Sequence, residues 1–366
     1  MTLARPRPGD SLLDSRSAGF DVELITQPGR LDEVGAEIDA LQACTGAPAS
    51  ARWVALRAGL RHQPSAQPWC VLVRSGVGMV AAALGTADLH HGTWAIRSAM
   101  HPDEPGWLAA LDAEASDALA AALARALQRL RLPWSLEWRH LPADDRTLPT
   151  LARLLQPSTT LPSASDPQLV FDPQTRAKGS LSTNTRSAVS RARKRIAAAG
   201  RHAAMDWMFD AGEIEACLGA IVDVHQRRNR QLRGVAGLDD PRKRALFEDT
   251  VRAHAGAGRA RLLTLRLDGR LAAYALCFEA SGRLHVYSNM ASPDWLQFSP
   301  GTITNAELVI AASHDPAIRV VDWGPGLQRY KLSGARLHVQ PLCHLRAWSS
   351  TAYRLAWSLG QRLSNG

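Results

Sequence analysis

Residues 284–335 read LHVYSNMASPDWLQFSPGTITNAELVIAASHDPAIRVVDWGPGLQRYKLSGA, and the rest of the chain is interpreted outward from them. Leu284, Val286 and Ser288 alternate with His285, Tyr287 and Asn289, a period of two that predicts a strand. A loop follows over residues 291–299, with Pro293 and Pro300 as punctuation. Pro300, Gly301 and Thr302 open a helix, because proline suits a first turn whose N–H groups lack partners. Residues 318–323 form an apolar run that reads as a central strand. It stops at Gly324, Pro325 and Gly326, and a short turn then carries Tyr330 and Lys331 to Gly334.

This layout has chemical consequences. Free N–H groups at a helix start carry partial positive charge. Ser299, Gly301 and Thr302 sit there, and Gly301 lets a backbone approach a ligand such as a phosphate closely. The plainer alternative is an ordinary helix with Ser299 as its N-cap. Asp322 ends an apolar strand, where its carboxylate either orients a reacting group or caps the glycine turn. His285, Tyr287 and Asn289 line one side of their strand, with His285 a candidate base and Asn289 a candidate contact for a carbonyl. Lys331 either pairs with a phosphate or is simply exposed, the commoner state of lysine.

The run from Phe298 through Ser299, Pro300 and Gly301 to Thr302, then Asp322-Trp323-Gly324-Pro325-Gly326, then Tyr330-Lys331, resembles the cellulose-biosynthesis-type acetyltransferases (CelD/BcsL-like). That family belongs to the GNAT superfamily and is related to the Fem-type transferases. The basic helix of residues 186–195 and the stretch from His225 to Arg228 also resemble it, so the likeness covers residues 181–348. Two positions depart from the family pattern: Leu327 replaces an acidic residue, and Pro325 replaces the usual arginine. The resemblance implies an α/β (α+β) protein of two tandem GNAT-like domains, each a mixed, mainly antiparallel sheet flanked by helices. It implies acyl-CoA, with acetyl-CoA first, as co-substrate and no metal. It makes Tyr330 the proton donor to the leaving thiolate, and it moves His225 toward a place in the substrate cleft. The acceptor it suggests is a sugar or sugar nucleotide of exopolysaccharide assembly.

The remaining sequence is consistent with a protein of ordinary globular type. The chain has 366 residues, 46% hydrophobic and 21% charged, enough for two domains. The five cysteines form no paired motif and read as reduced thiols, which places the protein in the cytoplasm. The twelve histidines show no metal-ligand spacing. No run is long and apolar enough to span a membrane. Residues 1–19 are polar and read as a disordered tail; residues 20–173 are expected to form a scaffold domain and residues 174–366 the transferase domain. In the first half, strands are expected over 20–26, 69–74, 78–87, 93–97, 134–138 and 169–172. Helices are expected there over 31–44, 51–60, 112–132 and 148–155. The second half repeats this order, with helices over 211–232 and 242–254 and a hairpin turning at Asp268 and Gly269.

The charge is uneven. Between residues 176 and 259, 17 Lys and Arg oppose 9 Asp and Glu, a net of +8 in a chain of +9. Arg186, Arg191, Arg193, Lys194 and Arg195 form its centre, on a helix whose apolar stripe is Ala188, Ala192, Ile196 and Ala197. It is either a solvated face or a surface for an anion: coenzyme A phosphates, an acidic saccharide or RNA. On the helix from residue 211, Ile214, Cys217, Leu218, Ile221, His225, Arg228 and Leu232 share one face. His225, Arg228 and Tyr287 are therefore candidate substrate contacts. The competing readings are a Fem-like transferase using aminoacyl-tRNA and a non-catalytic scaffold of a polysaccharide machine.

Overall fold

The structure, a computed structural model, describes residues 19–98, 106–171, 181–328, 331, 337–355 and 358. The first half runs β1 (Asp21–Ile25), α1 (Pro28–Glu33), α2 (Gly35–Cys44), α3 (Trp53–His62), β2 (Ala66–Pro68), β3 (Cys70–Ser75), β4 (Gly78–Ala83), β5 (Thr86–His90), β6 (Thr93–Arg97) and β7 (Leu108–Ala110). It continues with α4 (Ala113–Gln128), β8 (Trp134–Pro142), α5 (Thr147–Leu154) and β9 (Ser158–Val170). The second half runs α6 (Thr183–Ala198), β10 (Ala203–Met208), α7 (Ala211–Arg233), α8 (Pro241–Gly256), β11 (Ala260–Leu267), β12 (Arg270–Ala280), β13 (Arg283–Ala291), α9 (Pro300–His314), β14 (Val320–Asp322) and β15 (Leu337–Trp348).

Local chemistry sets many of these limits. Asp112, Asp210 and Asp240 cap α4, α7 and α8 by accepting backbone N–H bonds. Gly234 ends α7 in the left-handed region at φ 75°. The expected helix over 31–44 is two helices, parted at Val34, whose φ of −98° and ψ of 3° are not helical. The expected strand over 78–87 is also two. At Gly85 the chain leaves one sheet for the other, and a Cβ there would meet the Arg97 carbonyl oxygen at 2.7 Å. The expected strand over 318–323 shortens to Val320–Asp322.

Four strands, β1-β3-β4-β7, make a small sheet. Eleven make a large one in the order β10-β11-β12-β13-β14-β9-β15-β8-β6-β5-β2. Strands from both halves alternate across its middle, because β9 sits between β14 and β15 while β15 pairs β8. Within the large sheet two pairs are parallel, β6 with β8 and β13 with β14. α9 packs on one face of the second half, over Cys277, Leu284, Val286 and Val321. α7 and α8 pack on the other, over Tyr274, Leu276 and Phe278. No helix among the described residues is long and apolar enough to cross a membrane.

Candidate functional site

β13 and β14 meet in parallel for three residue pairs, ending at His285 opposite Asp322. β13 then runs on to Ala291 while β14 stops. Beyond His285 no described strand pairs that edge of β13. A register shift against β12 leaves Tyr287 as a bulge, since Cys277 pairs Val286 and Leu276 pairs Ser288. The bulge reverses the alternation. His285 and Tyr287 stay on the α7/α8 face, where Tyr287 stacks on Phe278 and Phe247. Asn289 turns to the α9 face and donates to Asn305 Oδ1 at 3.1 Å. The expectation that His285, Tyr287 and Asn289 share one side therefore fails, because one extra residue shifts the period-two pattern.

The row at the end of the parallel pair is polar and buried. Asp322 faces His285 on β13 and Gln168 on β9. Its Oδ2 accepts from Arg283 at 3.1 Å, its Oδ1 accepts the Gly324 N–H at 2.8 Å, and His285 Nδ1 lies 3.5 Å away. Burial alone would raise the Asp322 carboxyl. His285, Arg283 and the Gly324 N–H outweigh it and hold Asp322 well below the usual carboxylate range. Asp322 thus both anchors the glycine turn and faces His285. Gly324 itself has φ 70°, and a Cβ there would sit 3.4 Å from His285 Cε1, so glycine suits the turn twice over.

A carboxyl that sequence reasoning missed completes the row. Asp166, on β9, accepts from Gln168 Nε2 at 2.8 Å, and Gln168 also donates to Gln340 of β15 at 2.7 Å. Burial and the neighbouring Asp322 charge push Asp166 up to about 8. Asp166 is thus pushed toward its protonated form while Asp322 is held toward its ionised one. Its surrounding sequence, STTLPSASDPQLV, offers no apolar alternation to flag a buried strand.

Lys331 also departs from expectation. It is buried, and its Nζ donates to the Gly324 and Pro325 carbonyl oxygens at 2.9 and 3.0 Å. Burial lowers its pKa, against the pull of Asp166 and Asp322. It clamps the glycine turn from inside instead of standing exposed. Tyr330 lies outside the described residues.

At the α9 start, Ser299 is the N-cap residue but makes no side-chain cap bond, because its backbone is left-handed at φ 52°. Its Oγ instead accepts from Arg195 Nη2 at 2.9 Å, and Arg195 Nε donates to the Gln297 carbonyl at 3.1 Å. The Thr302 N–H bonds the Ser299 carbonyl at 3.1 Å. A Cβ on Gly301 would meet only the Ala291 Cβ at 3.5 Å, so the backbone there is open to an incoming group. This start thus joins an open helix terminus to one arginine of the basic helix. On that helix Ala192 and Ile196 are buried while Ala197 is exposed, so the apolar stripe is narrower than expected. Arg193 approaches Glu307 of α9 at 3.4 Å.

The α7 candidates face a different neighbourhood. His225 is half-buried, lies 3.1 Å from Asn229 Nδ2, and packs near Phe247. Burial, then Arg233, lower its pKa. Arg228 donates to Gln231 on its own helix. Leu232 is 58% exposed, so the inward face of α7 ends before it. Through Phe247 and Tyr287, His225 belongs to the same aromatic cluster that flanks His285.

Residues 183–332 match the acetyltransferase (GNAT) domain family. No curated protein matches the chain. Among solved structures, FemX superposes with a TM-score of 0.60 at 10% identity, over 84% of this chain and 95% of that one. A conserved protein of unknown function from Bacteroides thetaiotaomicron superposes with a TM-score of 0.57 at 14% identity, over 86% and 97%. The C-terminal domain of a putative lysylphosphatidylglycerol synthetase from Agrobacterium fabrum gives 0.56 at 12%, over 91% and 96%. At these identities the likeness is one of fold. The segment from α6 through Lys331 is therefore the part that matches a GNAT acetyltransferase domain, within a mixed α/β chain whose overall fold these structures share.

Proposed function

We propose that the protein is an acyltransferase that moves an acyl group from an acyl-coenzyme A to an amine or hydroxyl of a small saccharide-type acceptor. The observation that carries this reading is the parting of β13 and β14, whose pairing ends at His285 opposite Asp322 while β13 runs on to Ala291. There β13 runs on beside the α9 start, and the buried His285–Asp322–Asp166 row lies at the point of parting. The fit to the donor is chemical. Peptide-like amides of a pantetheine arm can pair with a strand edge such as that of β13 beyond His285, and phosphates suit Gly301, Thr302 and Arg195. The donor supplies a thioester whose carbonyl carbon is open to attack.

The chain's own residues would then manage protons and positions. As the acceptor's nitrogen or oxygen bonds to the carbonyl carbon, it must lose a proton, and the carbon–sulfur bond breaks. His285, held against Asp322, is the base that takes the acceptor proton, with Asp322 fixing its ring. Asp166 keeps the second carboxyl neutral, so that the row does not carry two buried negative charges. Tyr330 is assigned the proton returned to the departing sulfur. Holding both substrates in one geometry would supply much of the rate. His225, Arg228 and Tyr287 are the proposed acceptor contacts, with residues 20–173 as scaffold and residues 174–366 as the transferase part.

Titration of acetyl-CoA, longer acyl-CoAs and bulk tRNA, read by thermal shift and calorimetry, tests the donor. Saturating acyl-CoA should raise the melting temperature. Stabilisation by tRNA and by no acyl-CoA, with steep salt dependence through Arg186 to Arg195, would instead favour the Fem-like reading.

A further inference from the structure

The polar row at the end of the first-half parallel pair takes no part in the chemistry above. We propose that it is a second ligand site, for a phosphate- or carboxylate-bearing small molecule. β6 and β8 run parallel and in register from Trp94 opposite Trp134 to Arg97 opposite Glu137. β15, on the other side of β8, places Arg346 opposite Glu137. Residues opposite one another across strands stand on one face, so Arg97, Glu137 and Arg346 form a row that Arg139, two residues on, joins. The other face of these strands is core, with Leu136, Trp138 and Leu345 buried in it.

Two guanidinium groups thus hold one carboxylate, and Arg97 stands beside them in the row. Glu137 accepts from Arg139 Nη2 at 2.7 Å and from Arg346 Nε at 2.8 Å. Its carboxyl is held below its ordinary value, because Arg139 and Arg346 outweigh the effect of burial. The Arg97 side chain is exposed and its guanidinium makes no ion pair or hydrogen bond among the described residues. Above the row lies a cavity of about 500 Å³, walled also by Ala95, Ser135 and Trp348. That volume suits a molecule of sugar-phosphate size. Arginine forks match the oxygens of phosphate and carboxylate, and the Arg97 fork is exposed at the edge of the cavity.

The placement repeats the logic of the second half. Ligands of open sheets collect beyond the carboxyl ends of parallel strands, and both parallel pairs end in a polar row. The rows are separate sites. On β15, Gln340 belongs to the Asp166 network and Arg346 to this one, six residues apart, or about 20 Å of strand.

Calorimetric titration of inorganic phosphate, pyrophosphate and citrate into the full chain, at low ionic strength and without acyl donor, tests the site. Wild type should bind at least one of them. Arg97→Ala should weaken that binding by at least about tenfold, and Arg97→Ala with Arg139→Ala should abolish it. Preference for phosphate or pyrophosphate over citrate assigns a phosphate ligand, and the reverse assigns a carboxylate. Binding should persist at saturating acetyl-CoA. No binding by wild type, equal binding by Arg97→Ala, or displacement by acetyl-CoA would each overturn the proposal. Absence of anion binding, or equal binding by Arg97→Ala, would leave acetyl-CoA binding untouched, and acetyl-CoA binding is measured in its own titration, so this site and the transferase reading fail separately.

Discussion

The two parallel strand pairs end in rows of opposite character. In the second half the last row is His285 and Asp322, both about 3% exposed, with a second acid beside them. In the first half it is Arg97 and Glu137, joined by Arg139 and Arg346, and partly open to water. The difference lies in what covers each face. His285 is almost fully buried on the face that also carries Phe278 and Tyr287, so the charges of its row act in a low dielectric and shift one another strongly. The arginine row keeps solvent contact, which screens its charges and leaves it fit for exchanging a small anion.

The comparison can be broken by removing one carboxylate from each row. Asp322→Ala should cost about 3–5 kcal/mol of stability, because it strands Arg283 and the glycine turn in a buried site. Glu137→Ala, in the half-open row, should cost no more than about 1 kcal/mol. Denaturant unfolding of both variants measures the contrast, and equal losses would mean the rows do not differ in kind. On turnover, Tyr330→Phe should lower the rate about a hundred- to ten-thousand-fold if it protonates the leaving sulfur. It should leave acyl-CoA affinity and melting temperature nearly unchanged, and a wild-type rate would remove it from the chemistry.

The pH dependence sharpens the account further. Asp166 has a folded pKa of about 8, well above its unfolded value. The folded state therefore holds a proton that the unfolded chain releases, so stability from this group is full in acid and is lost as pH rises toward 8. Asp322 runs the other way, giving stability that is lost only in strong acid. Asp166→Asn should flatten the fall in melting temperature between about pH 5 and pH 8. An unchanged slope would mean that Asp166 is ionised in the fold.

How much of this could be seen in the sequence depends on where the burial comes from. β11 and β12 were legible because apolar alternation and the Asp268–Gly269 turn are local. α7 and α8 were legible from their spacing and caps. β9 was not. Only its end was expected as a strand over 169–172, whereas it runs from Ser158 through two prolines, because its pairing is supplied by β14 and β15 from the other end of the chain. Asp166 was invisible for the same reason, since nothing near it in sequence buries it. His285 and Asp322 were named from their strands, and parallel pairing brought them together. The side taken by Asn289 was misread because a bulge leaves no mark in a polar stretch. Lys331 was misread because its partners are carbonyl oxygens of a turn, which side-chain patterns do not show.

Calorimetry of acetyl-CoA binding to wild type, Gly301→Val and Arg97→Ala tests the central claim most directly. Gly301 lies open at the α9 start, where valine should block backbone approach without disturbing the fold. The account predicts binding by wild type, binding at least about tenfold weaker in Gly301→Val, and unchanged binding in Arg97→Ala. Absence of binding by the wild type, or an equal loss in Arg97→Ala, would contradict it.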